Sequence, residues 1–378
     1  MSKNIIFVSG IQVYPPQSGG QLRSYNLCKA LAKKGHNVSI YSFTGRKKGY
    51  LQGEKSFVND VDDVPEYVNM SRIYGFLQFF SYRLGLPPLW LAFITRFYIP
   101  KKLKNLIKQS DMLIVDFPYL SNVFKISNGT NVLNTHNAEF ELFSSSFISS
   151  VVRKLEIKAM KAADLTVFCC QNDMDKFCGF PAKACIVPNG LDLGCFDRSD
   201  IDSFAIRAEL NIPKHKKIVL FTGSSYAPNK IGFEDLLGWC KLNTKFIQDN
   251  NLVFLVVGSV SEPYEYSDVF KALGRVDSVY KYLLSADLAI NPVASGSGAN
   301  VKVAEYIAAK LPVISTEFGV RGFELDSDNC FIFDFSNLKE CLQLVLNEND
   351  LKGRSSRAYQ DNLQSICMYS GVCKIDDL

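Results

Sequence analysis

Residues 4–43 alternate in a way that few folds can absorb. A short apolar run, 4–9, is followed by the Pro/Gly-rich loop Tyr14-Pro15-Pro16-Gln17-Ser18-Gly19-Gly20. Residues 21–34 then carry Leu22, Leu27, Ala30 and Leu31 on one helical face, Gly35 ends that segment, and 38–43 is apolar again. A strand–helix–strand unit of this kind needs a crossover, which makes its two strands parallel neighbours in a sheet buried on both faces. Strand-like runs follow at 112–115, 131–135, 165–169 and 184–187, with a helix at 151–163, and the turn Pro188-Asn189-Gly190 closes this half. The alternation restarts with strands at 218–222, 252–257, 288–291, 312–316 and 330–333, and helices at 233–246, 279–285 and 301–309. A chain of 378 residues also exceeds what one core usually supports. The expected fold is α/β, two doubly wound Rossmann-like parallel-sheet domains facing a cleft. We place them at 1–195 and 196–356, with a C-terminal helix, 357–378, packing back on the first. The polar, weakly periodic stretch 191–217 is read as the connection.

Several function classes are disfavoured at once. The net charge of +4 is small for this length and does not suggest a nucleic-acid binder. Eleven cysteines include no CxxC pair and only three histidines accompany them, which supplies a metal site poorly. The cysteines are read as reduced, mostly buried thiols of a cytoplasmic protein. The N-terminus runs straight into a strand, so no signal peptide is expected, and no segment reaches the ~18 apolar residues of a spanning helix. The sequons at Asn37, Asn69 and Asn128 then carry no meaning.

Candidate binding residues cluster at strand ends, where open α/β sheets receive ligands. Gly19-Gly20 lets backbone N–H groups approach a phosphate or a sugar, or else simply turns the chain. It is not GxGxxG, and Ile40-Tyr41-Ser42 stand where a dinucleotide fold has its acidic ribose ligand. The most informative segment is 291–322. A strand ends at Asn291-Pro292, and Ala294-Ser295-Gly296-Ser297-Gly298-Ala299-Asn300 leads into a helix carrying Lys302 and Glu305. Small residues there allow a bulky anion close to the helix N-terminus, and Glu305 is placed to bind two vicinal hydroxyls such as a ribose diol. A surface loop with a solvated Glu is the plainer reading of the same residues. The helix is stopped by Pro312 without a glycine cap.

This segment resembles the donor site of retaining glycosyltransferases of the GT-B fold, family 4. Their usual pattern is a Glu, seven residues, and a second Glu on a helix, then a Gly and a Pro-Val strand. Glu305 matches the second Glu, which in that family holds the nucleotide ribose. Ser297 stands where the first would be, and Leu311 where the Gly precedes Pro312-Val313. The chain resembles a branch with Gly-Ser-Gly followed by a Lys and a Glu. Gly35-His36-Asn37-Val38, Thr135-His136-Asn137-Ala138-Glu139 and Val187-Pro188-Asn189-Gly190-Leu191-Asp192 match further family motifs in order. Phe221-Thr222-Gly223 matches the strand end before the phosphate-binding Arg and Lys, with Ser224 at the Arg position and Lys230 at the Lys position.

The resemblance implies metal-independent transfer of a hexosyl unit, with retention, from a nucleoside diphosphate sugar to a hydroxyl of a glycan or lipid-linked acceptor. It implies no cofactor. His136, Lys230 and Lys302 are the expected catalytic residues, with Lys302 replacing the missing Arg. Gly19, Gly20, Gly223, Ser224, Ser297, Gly298, Ala299, Asn300 and Glu305 are the expected donor-binding set. His136 at a strand end and Lys302 paired with Glu305 also have purely structural readings. A sugar-nucleotide epimerase and a degenerate sugar-nucleotide binder, suggested by Ser224 and Ser297, are the rival functions. Asp-x-Asp at 60–62, 173–175, 200–202 and 326–328 is read as chance, 173–175 as a helix N-cap. Residues 72–104 interleave Phe, Tyr, Leu and Trp90 with Arg83, Arg96, Lys101, Lys102 and Lys104. They suit a peripheral contact with an anionic inner membrane face, or equally a core-packed helix pair with a basic edge.

Overall fold

The opening alternation folds as its crossover requires. Strand β1 (Asn4–Ser9) and strand β2 (Asn37–Ser42) are parallel partners joined by the helix Gly19–Lys33. Ser18 is the N-cap, its hydroxyl accepting from the Gln21 N–H at 3.4 Å, so the helix starts two residues earlier than the periodicity indicates. In the computed structural model the chain divides into two units, Met1–Gly190 with Met368–Leu378, and Leu191–Cys367. The structure describes residues 2–16, 18–44, 56–61, 64–69, 71–196, 203–296, 300–367 and 372–375, with backbone alone at 56–61 and 203–204.

The first unit adds β3 (Ser56–Val61), β4 (Val64–Asn69), β5 (Met112–Asp116), β6 (Thr130–Asn134), β7 (Leu165–Phe168) and β8 (Ala184–Ile186). The sheet order is β3-β4-β2-β1-β5-β6-β7-β8, parallel except for the β3–β4 pair. Because β1 is buried on both faces, its alternate residues feed two cores. Ile5 and Phe7 join Leu27, Ala30 and Leu31 of the first helix, together with Val372 and Ile375 of the returning C-terminal segment. Ile6 and Val8 join Leu103, Ile107, Tyr119 and Val152 on the opposite face. Strands β3 and β4 escape the sequence pattern because Pro65 interrupts their run. The proline is tolerated because the parallel ladder to β2 begins only at Glu66.

The second unit contains β9 (Lys217–Thr222), β10 (Leu252–Val257), β11 (Tyr264–Tyr266), β12 (Phe270–Ala272), β13 (Leu288–Asn291), β14 (Val313–Ser315) and β15 (Phe331–Ile332). Their order is β11-β12-β10-β9-β13-β14-β15, again with one antiparallel pair, β11–β12. Val219, Phe221, Phe254 and Val256 pack against Leu236, Trp239 and Cys240 of the helix Ala227–Leu242. The stretch 203–217 packs here too, for Arg207 bonds the Lys216 carbonyl at 2.8 Å and the Asp287 carboxylate at 2.6 Å. The long helix Leu351–Ile366 is likewise part of this unit. Six of the eleven cysteines are buried, and none is disulfide-bonded.

Candidate active site

In the first unit a polar cluster forms at the carboxyl ends of β5 and β6. Asp116 closes β5, and its Oδ1 lies 2.6 Å from His136 Nε2. The same carboxylate accepts from Asn134 Nδ2 at 2.8 Å, from Ser24 Oγ at 3.0 Å and from Ser9 Oγ at 3.4 Å. Three partners besides the imidazole keep a nearly inaccessible carboxylate satisfied, which a buried charge requires. Phe117 adopts a φ of 74°, and this turn lays its ring on the imidazole at 4.4 Å. A left-handed aromatic residue costs about 1–3 kcal/mol, which the surrounding structure must offset. Gly20 completes the wall, since a Cβ there would sit 3.2 Å from His136 Nδ1. The glycine is needed for close approach to the histidine.

Two buried ionisable side chains hold this arrangement from behind. Arg23, on the first helix, donates to the Val187 carbonyl at 2.5 Å, to Asn189 Oδ1 at 3.1 Å and to Asn134 Oδ1 at 3.1 Å. It thereby ties the Pro188-Asn189-Gly190 turn to the strand end beside His136. Glu156 accepts the N–H groups of Glu139 at 2.7 Å and Phe140 at 3.2 Å, fixing the turn after His136. Burial pushes its carboxyl up to about 8 and raises that of Glu139 as well. On the other side, Glu66 accepts from the Val13 and Tyr14 N–H groups at 2.6 and 3.0 Å, anchoring the loop that leads to Gly20.

In the second unit the helix Val301–Ala308 is pinned by Tyr306. The Thr222 N–H donates to its phenol oxygen at 2.9 Å, and the phenol lies 3.3 Å from the Ile290 carbonyl. One residue thus locks the helix to the ends of β9 and β13. Asn300, the N-cap, donates to the Gly319 carbonyl at 2.8 Å, and Asn291 donates to the same oxygen at 3.2 Å. Gly319 fits only without a side chain, for a Cβ would meet Ser315 Oγ at 2.3 Å. The turn ending at Arg321 is therefore fastened to the helix N-terminus. Arg321 stacks on Phe318 at 3.7 Å and donates to its carbonyl at 2.9 Å.

On that helix, half-buried Lys302 donates to Asn229 Oδ1 at 2.7 Å, and Asn229 Nδ2 in turn reaches the Ser224 carbonyl and hydroxyl. Burial lowers the Lys302 ammonium to about 7, with Glu305 opposing the shift and Arg321 adding to it. Glu305 is buried, and desolvation raises its carboxyl to about 7 against the pull of Lys302. Among the described residues the two form no ion pair within 4 Å. A partly neutralised cation and a partly neutralised carboxylate on one helical face are what an anion and a hydroxyl donor would recharge.

Residues 18–194 match the family described as Glycosyltransferase Family 4, and residues 216–347 that described as Glycosyl transferases group 1. The chain is a GT-B glycosyltransferase. Solved structures share the fold at low identity. An Anabaena HepE structure in complex with UDP and glucose is 15% identical, with a TM-score of 0.71 over 99% of this chain and 98% of that one. Sucrose-phosphate synthase from Thermosynechococcus elongatus is 13% identical, TM-score 0.70, over 99% and 98%. An E. coli trehalose-6-phosphate protein bound with UDP-2-fluoro glucose gives 13% and 0.70 over the same shares. No curated protein matches by sequence.

The glycosyltransferase places the residues expected from sequence unevenly. Gly20 and His136 meet in the first unit, and Gly19 opens the helix beside them. Ser224, Asn300, Lys302 and Glu305 gather in the second, with Gly223 at the end of β9. Lys230 is exposed, and the neighbouring Asn229 is the residue that faces Lys302. Ser297, Gly298 and Ala299 lie outside the described residues. So do the Asp-x-Asp residues at 62 and 200–202. Asp173 is not an N-cap: the helix Gln171–Asp175 is preceded by Cys170, and Asp173 is buried against Lys176 at 3.2 Å and Cys169 at 3.6 Å. Cys169, Cys170 and Asp173 form a compact buried group of the kind that can hold a metal ion, which the scattered spacing did not suggest. Lys310 takes a left-handed φ of 53° and the Leu311 N–H closes onto the Tyr306 carbonyl at 3.0 Å. The helix thus ends in a glycine-type cap made by a lysine, not by Pro312 alone. Reading the sequence missed Asp116, Arg23, Asn229 and Arg321. Arg23 had a signal, since it lies on the apolar face four residues before Leu27.

Proposed function

We propose that the protein transfers a hexosyl unit from a nucleoside diphosphate sugar to a hydroxyl of a glycan or lipid-linked acceptor, with retention and without a metal. The observation carrying this reading is the incompletely charged Lys302 and Glu305 on one helical face. Lys302 and Arg321 would take the diphosphate, and Glu305 the ribose diol. The HepE structure holds UDP and glucose and the E. coli structure UDP-2-fluoro glucose, which supports the donor class.

The chemistry follows from where charge develops. The bond between the anomeric carbon and the phosphate oxygen breaks, and negative charge grows on the departing diphosphate. Preorganised donors at that position are each worth roughly 2.7–4 kcal/mol. The acceptor oxygen bonds to the anomeric carbon and its proton passes to the leaving phosphate. His136, oriented by Asp116 and Phe117, holds a sugar hydroxyl. Lys230, exposed on the same helix as Asn229, would add a further cation to the diphosphate.

Incubation with uridine diphosphate glucose, without and with candidate acceptors, tests the reading. Slow release of uridine diphosphate, faster with acceptor, is expected. An intact donor despite tight binding would make the chain a binder, and an isomerised sugar an epimerase.

A further inference from the structure

The helices Arg72–Arg83 and Leu89–Phe97 are built inside out for a protein in water. The first buries none of its residues. Its inward contacts come from half-buried Tyr74, which packs on Trp90 at 5.7 Å and on Phe43 at 6.0 Å. Its outward stripe is Ile73, Phe76 and Phe80, spaced i, i+3, i+7, with Phe76 64% exposed and stacked on Phe80. The second helix turns Leu91 and Thr95 inward and leaves Phe93 and Phe97, 67% and 72% exposed, side by side at 5.1 Å. Scattered exposed apolar residues need no explanation, but a contiguous patch of large ones marks an interaction surface.

Charge decides the partner. Residues 72–108 contain seven basic residues, Arg83, Arg96, Lys101, Lys102 and Lys104 among them, and no acidic one. All seven basic side chains are exposed. An aromatic face rimmed by cations matches an anionic bilayer, where rings sit at headgroup depth and cations meet lipid phosphates. A two-fold contact between copies would set the same basic rim against itself. Among the described residues no helix is long and apolar enough to cross a membrane, so the contact is an interfacial one.

We infer that residues 72–108 dock the first unit onto an anionic lipid surface, with Phe76, Phe80, Phe93 and Phe97 entering the headgroup layer and Lys101, Lys102 and Lys104 holding lipid phosphates. Vesicle flotation, run without donor or acceptor, tests this independently of the transfer reaction. Vesicles of phosphatidylglycerol and phosphatidylcholine in equal parts should bind the protein at least about tenfold tighter than pure phosphatidylcholine, and more weakly as salt rises. Lys101→Gln, Lys102→Gln and Lys104→Gln together should weaken binding about a hundredfold, roughly fivefold for each cation. Phe76→Ser, Phe80→Ser, Phe93→Ser and Phe97→Ser together should abolish it at low salt with thermal unfolding unchanged. Phe97→Trp, which needs no such loss, should show blue-shifted emission on vesicles. The inference is overturned if the wild-type protein ignores mixed vesicles at low salt, or if the serine variant binds like wild type. Self-association that the serine variant loses, in a protein that does not bind vesicles, would assign the face to a second copy.

Discussion

Binding of a nucleoside diphosphate should depend on pH through Lys302. Burial holds its ammonium near 7 in the free protein, well below the usual lysine value. A diphosphate beside it restores the charge, so above neutrality binding requires proton uptake. The protonated fraction falls from roughly a quarter at about pH 7.5 to about one in a hundred at about pH 9. Affinity for uridine diphosphate should therefore fall about 25-fold over that range, close to 1.9 kcal/mol, while the ligand's own phosphates stay ionised. Calorimetry in two buffers of different ionisation enthalpy reads both the affinity and the proton taken up, expected to approach one per site at the alkaline end. Lys302→Met should remove this limb and weaken binding at the lower pH. Glu305→Gln removes the carboxylate that opposes the shift, so the limb should move to lower pH. Affinity that stays flat across the range, with no proton uptake, would refute the placement of Lys302 against the diphosphate.

Other outcomes follow from the same geometry. If His136 holds a sugar hydroxyl and Asp116 orients it, His136→Ala and Asp116→Asn should each lower turnover far more than donor affinity, and equal losses in the two would return the pair to a structural role. Ser224→Arg in the Lys302→Met background should recover part of both diphosphate affinity and turnover, whereas a Lys302 that serves packing alone would leave the double variant as poor as the single one. Lys310→Gly should raise stability by about 0.5–1 kcal/mol in chemical denaturation, since a left-handed position favours glycine. Loss of the Lys310 ammonium from above the Tyr359 ring at 4.7 Å would offset part of that gain.

The sequence showed what has a period or a strand end. Both sheets, the first crossover helix, Gly20 with His136, and Lys302 with Glu305 could be read because each sits at a fixed offset from an apolar strand. Asp116, Asn229 and Arg321 could not, for their roles depend on which strand lies beside which. Asp116 meets His136 only because β5 pairs with β6, and Arg321 nears Lys302 only because Gly319 bonds Asn300. Lys230 against Asn229 is a shift of a single residue, about a quarter of a helical turn. A linear spacing cannot resolve that Asn229, and not its neighbour, is the residue bonded to Lys302. The β3–β4 pair was hidden for the opposite reason: Pro65 argues against a strand, and the fold accommodates it by starting the ladder one residue later.

The second-unit site carries a cost that the proposed donor binding would explain. Glu305, raised to about 7, gives up stability as pH rises from the ordinary carboxyl value toward neutrality, because the unfolded chain releases that proton first. Lys302, lowered to about 7, regains stability as pH rises from neutrality toward the ordinary lysine value, because the unfolded chain holds its proton longer. The two contributions are least favourable together near neutral pH. A core built only for stability would place apolar residues at both positions, as replacement of buried ionic groups often stabilises. Lys302 instead donates to the neutral Asn229, and its attraction to Glu305 offsets only part of the burial cost of either group. On the proposed reading, a diphosphate would favour the charged Lys302 and a neighbouring diol, by donating hydrogen bonds, the charged Glu305, both in one binding event. The stabilisation withheld from the free protein is then available as differential affinity for that ligand.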